Sequence, residues 1–165
     1  MGVLVDKSAT FEVSFHYRLI KNEEGETVGV AFADDEGWGG GEYIEFKSLW
    51  VPATHEEMTF IREESSVINH INEKAILLLK EFRPRLICSF CREWNLTDDE
   101  GYPLPITREV IANMFELFVI NIVEGWKKAT GVPEKIPQDN SWENITKDIF
   151  KEFLKLMTEH FQQEG

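Results

Sequence analysis

The apolar residues change period once along this chain, near residue 54, and that change constrains the fold more than any motif does. Upstream, Phe11, Val13, Phe15, Tyr17 and Leu19 alternate with polar residues, the period of a strand with one buried face. Residues 21–26 offer turn chemistry around Gly25, residues 27–32 resume a strand pattern and residues 43–51 supply a third. An antiparallel hairpin widening into a small sheet is expected. Downstream the spacing becomes three and four, which puts apolar stripes on helices. The expected fold class is therefore α+β, with a small antiparallel β unit over residues 1–51 followed by a bundle of about four helices. Residues 52–130 form the helical core of this reading, 131–140 a linker and 141–165 a C-terminal amphipathic helix.

Local signals mark the helix ends. Thr54 and Glu57 are spaced as a capping box directly after Pro52, which predicts a helix from there to about Ser65. A longer helix from near Asn69 would carry Ile71, Ala75, Leu78, Leu79, Phe82, Leu86, Phe90 and Trp94 on one face. Pro84 would either kink it or open the second of two end-to-end helices. A third helix is expected from Thr107 to about Thr130, with Val110, Ile111, Met114, Phe115, Phe118, Val119, Ile122, Val123 and Trp126 on a wide stripe. Gly131 suits the left-handed position after its end, and Pro133 forbids continuation. Ser141 would cap the last helix.

Twelve Phe and five Trp in 165 residues give enough apolar surface to offset the entropy of ordering the chain. The 30 Asp and Glu against 17 Lys and Arg leave a net charge of −13, and no stretch is basic. Nucleic acid and anionic membranes are therefore not expected as partners, because both recruit Lys and Arg. No segment reaches the roughly 18 consecutive apolar residues that span a bilayer, and the N-terminal residues lack a basic region followed by an apolar one. Cytosolic residence is the expectation.

Each search for chemistry ends short of a site. Cys88 and Cys91 have C-x-x-C spacing, but no further Cys or nearby His completes a zinc set, and their flanks Leu86, Ile87 and Phe90 make them small core hydrophobes. Gly37, Gly39, Gly40 and Gly41 do not fit a phosphate loop, and the acidic residues beside them would repel an anion. Aligning Gly101 with the glycine of a calcium loop puts Leu96 and Thr107 where carboxylates are required. His16, His55, His70 and His160 fall on separate segments and outside any catalytic pattern. No catalytic residue, metal site or cofactor is expected, and the chain is not read as an enzyme. What remains is apolar surface on helices. The stripe Trp142, Ile149, Phe153, Met157 and Phe161, set apart by a proline-bearing linker, is the candidate partner-binding element.

One stretch resembles a known family. Trp94, then Asp98, Asp99 and Gly101, then Pro103, Leu104 and Pro105, then Thr107 opening an apolar helix, is similar to a signature of tail assembly chaperones of long-tailed bacteriophages and prophages. With Trp50-Val51 and the helix start at Thr54, the likeness runs over about residues 46–127; residues before 45 are not part of it. The resemblance implies a non-enzymatic protein that binds the tape measure protein during tail morphogenesis and helps recruit tail tube subunits. It would act in the host cell cytoplasm and be absent from the mature virion. The other classes open to this sequence are a structural phage tail or connector protein and an acidic inhibitor of a host nucleic-acid enzyme. The structural content of the signature stands apart from the likeness: Pro103 and Pro105 hold the approach to the helix extended, letting Trp94 fold back over its start.

Overall fold

A computed structural model describes residues 2–33, 42–69, 74–132 and 155–156. The Gly-rich loop, the linker beyond Val132 and the stripe Trp142, Ile149, Phe153, Met157 and Phe161 lie outside the described residues. The fold is α+β. Strands β1 (Phe11–Lys21), β2 (Thr27–Phe32) and β3 (Ile44–Trp50) are followed by α1 (His55–Glu64), β4 (Ser66–Asn69), β5 (Lys74–Leu77), α2 (Leu79–Phe90), β6 (Cys91–Trp94), α3 (Arg108–Ala112) and α4 (Glu116–Thr130). The main sheet has the order β2-β1-β3-β6 with antiparallel neighbours, and β4 and β5 form a separate antiparallel pair.

The two-residue period of β1 places Val13 in the core with Phe11, Phe15 and Tyr17 packed against it, while Glu12, Ser14 and His16 are exposed. Helix α4 crosses the apolar side. Its Phe118 meets Phe15, Tyr17 and Phe46 edge-on, with ring centroids 5.4, 4.9 and 5.5 Å away, a geometry that aligns ring edges with π faces. Gly125 permits this approach, since a Cβ there would lie 2.6 Å from Val13 Cγ1. Buried Ser48 is satisfied on both sides: it donates to the Val13 carbonyl at 2.7 Å and accepts from the Trp50 indole at 2.7 Å. Beneath them Phe46, Trp50, Phe82, Leu86, Ile87, Phe90 and Ile122 are fully buried.

Local signals formed as expected. Thr54 Oγ1 accepts from the Glu57 amide at 3.1 Å and Glu57 accepts from the Thr54 amide at 3.0 Å, α1 ends with Ser65 as its cap, and Gly131 takes φ of 79° after α4.

Two helical expectations are corrected. The single helix expected between Asn69 and Trp94 is divided into β4, β5, α2 and β6. Val67, Ile68 and Ile76 are β-branched and suit strands, and the unbroken apolar run at 75–79 has no period to choose between helix and strand. At the other end, Cys91 turns extended, with φ −78° and ψ 123°, and pairs with Trp50 on β3 while Trp94 pairs with Ser48. Pairing with β3 satisfies backbone groups that a longer helix would have satisfied internally. Trp94 thus lies on a strand. Pro84 sits inside the single helix α2, so the end-to-end alternative does not hold. The helix expected from Thr107 to Thr130 is broken at Asn113, Met114 and Phe115. Asn113 caps α3 and its side chain donates to the Glu109 carbonyl at 2.9 Å, a local bond that competes with helix propagation.

Candidate partner-binding surface

The structure gathers the signature residues into one loop. The Asp98 carboxylate accepts from the amides of Glu100 and Tyr102, both at 2.9 Å, and the Asp98 amide donates to the Tyr102 carbonyl at 2.9 Å. Gly101 takes φ of 89° and donates to the Asp98 carbonyl at 3.0 Å, and Asp99 is exposed at the tip. Below the turn Thr97 bridges Pro103, and the Leu104 amide donates to the Leu96 carbonyl at 2.9 Å. The Trp94 indole donates to the Leu104 carbonyl at 2.6 Å. Trp94 is half-buried and packs on the core beside Leu96 and Ile106, less covered than a tryptophan laid fully over the next helix would be. After Pro105, Thr107 caps α3 by accepting from the Val110 amide at 3.3 Å. Arg108 then pairs with Glu81 on α2, and that guanidinium holds the Glu81 carboxyl below the usual range.

Both cysteines are free. Cys91 is buried, and burial pushes its thiol up to about 12; Cys88 is exposed, not in the core as expected, and its partial burial pushes its thiol upward. His16 lies on the exposed side of the sheet, 3.6 Å from Glu45, and His55 opens α1, while His70 and His160 are outside the described residues. Among the described residues no three His, Cys, Asp or Glu side chains gather as a metal site, and no helix is long and apolar enough to cross a membrane.

A surface feature that the sequence reading passed over lies between α1 and α2. A groove of about 320 Å³ is lined by Glu56, Glu57, Phe60, Ile61, Ser89 and Phe90. Phe60 is 61% exposed, whereas Met58 and Ile61 on the core-facing stripe of α1 are buried. The signal was available: with Met58, Ile61 and Ser65 on one stripe, Phe60 falls off it. Lys7 contacts two residues of the groove. Its ammonium donates to the Pro52 carbonyl and to Glu57, both at 2.7 Å, and stands 5.5 Å from the centre of the Phe90 ring, within cation–π range. The Lys7 hydrogen bond, helped by the Thr54 amide, lowers the pKa of Glu57. No protein-family model, curated protein or solved structure matches the chain.

Proposed function

We propose that this protein is a tail assembly chaperone, binding the tape measure protein of a long-tailed phage or prophage while the tail is built. The observation that supports the reading is the stretch from Trp94 to Thr107, whose residue types and order resemble the family signature. Its role is non-enzymatic and needs no cofactor. Exposed apolar side chains such as Ile68 and Leu117, at 65% and 59%, offer the non-directional attraction that holds an apolar client, and a net charge of −13 keeps the complex dispersed. It works in the host cytoplasm, also contacts tail tube subunits, and leaves before the particle is complete.

Co-expression with the tape measure protein of the same genome is the test, using the full chain and a chain truncated after Pro137. The full chain is expected to keep the client soluble and to co-purify with it. The truncated chain is expected to bind differently, since the stripe Trp142, Ile149, Phe153, Met157 and Phe161 is the proposed contact. If neither chain solubilises the client, the chaperone reading is wrong; equal solubilisation by both removes only the assignment to that stripe.

A further inference from the structure

Phe60 is the centre of an acidic ring. On a helix the nearest surface neighbours of a residue lie three and four positions away, and for Phe60 all four are glutamates: Glu56, Glu57, Glu63 and Glu64. The ring is 61% exposed and borders the groove between α1 and α2, whose floor is Ile61 and Phe90. Glu56, Glu63 and Glu64 are exposed, and among the described residues none of them forms an ion pair. Phe60 thus presents exposed apolar area inside a ring of negative charge. A cation with an apolar stem matches both.

The molecule already shows that chemistry once. Lys7 reaches from the N-terminal arm to Glu57 and Phe90 of this groove, where its ammonium meets a carboxylate, a carbonyl and an aromatic face. We infer that the α1–α2 groove is a docking surface for a basic amphipathic helix of a partner, with an apolar side chain beside Phe60 and Lys or Arg on Glu56, Glu63 and Glu64. Charge complementarity selects this occupant. A second copy would bring its own excess of 13 negative charges to the same acidic rim and be repelled, and an anionic lipid or nucleic acid would be repelled likewise. Helix-in-groove binding reads an apolar anchor flanked by charges, which is the pattern the rim offers.

The probe is a designed helical peptide with leucine on one face and lysine on the other, compared with its leucine and glutamate counterpart, titrated into the full chain by fluorescence anisotropy. The lysine peptide is expected to bind, more weakly as salt rises, and the glutamate peptide is not. Phe60→Ser, and separately the triple change Glu56→Gln, Glu63→Gln, Glu64→Gln, should each weaken binding by about tenfold, as loss of an interface anchor does. A control removing the same charge from other elements, Glu23→Gln, Glu100→Gln, Glu109→Gln, should leave affinity within about twofold, since none of these residues lines the groove and exposed charges act weakly through salt. The assignment is overturned if the lysine peptide does not bind, if Phe60→Ser leaves affinity unchanged, or if the control weakens binding as much as the α1 triple. This surface is independent of the chaperone reading: peptide titration tests the groove and tape measure co-expression tests the reading, so either can fail alone.

Discussion

In the turn at residues 22–26, the Asn22 side-chain oxygen accepts from the amides of Glu24 and Glu26 at 3.0 and 2.9 Å, and the Asn22 amide donates to the Glu26 carbonyl at 2.9 Å. Gly25 takes φ of 81° and donates to the Asn22 carbonyl at 3.1 Å. The turn at residues 98–102 repeats every one of these bonds with Asp98 and Gly101. One joins β1 to β2 in the hairpin that lies outside the family likeness; the other is the acidic centre of that likeness. Asp98 and Gly101 of that stretch are therefore what the backbone asks for. An Asx side chain holds two amides, and glycine occupies a left-handed position that costs other residues strain. What separates the two turns is their surroundings: only the second is tied to the core through Trp94 and leads into a capped, ion-paired helix.

Trp94→Ala is the largest test of that difference. It removes a half-buried ring and its bond to Leu104, and should lower unfolding free energy in urea by about 2 kcal/mol, below the cost of truncating a fully buried tryptophan. A loss under about 0.5 kcal/mol, the scale of ordinary surface changes, would mean the second turn is no better anchored than the first. Next come Gly25→Ala and Gly101→Ala. Space is open around both glycines, so the cost is backbone strain alone, about 1 to 2 kcal/mol at each. Clearly unequal melting-temperature losses would break the equivalence of the turns. The smallest effect belongs to the exchange Asn22→Asp against Asp98→Asn. Either side chain supplies the same accepting oxygen, so stability should shift by less than about 0.5 kcal/mol; a larger loss on neutralising Asp98 would show that its charge, and not only its oxygen, holds the signature turn.

Legibility followed the range of the bonds involved. The first hairpin turn, the capping box at Thr54 and Glu57 and the left-handed Gly131 close over at most five residues, and each was legible because the partners sit side by side in the chain. The division of the expected helix at 69–94 was not legible. Phe90 and Trp94 keep the helical step, but Cys91 and Trp94 are opposite Trp50 and Ser48, and periodicity carries no trace of a sheet edge elsewhere that needs a strand. Of the candidate binding residues, the exposed Phe60 was within reach of pattern reading because it leaves the stripe of Met58 and Ile61. The groove beside it was not, because its other wall, Ser89 and Phe90, belongs to α2.

The sequence by itself determined the α+β class, the turns at Gly25 and Gly101, the caps at Thr54 and Gly131, and an acidic composition, since these depend on residue type, local spacing and charge. Only the tertiary structure decided that β6 completes the sheet, that β4 and β5 replace a helix, that the helix expected from Thr107 to Thr130 breaks at Asn113, and that Phe60 borders an acidic groove. The physical reason is the same in each case: backbone pairing and burial between segments far apart in the chain outweigh local helix preferences of less than about 1 kcal/mol per residue.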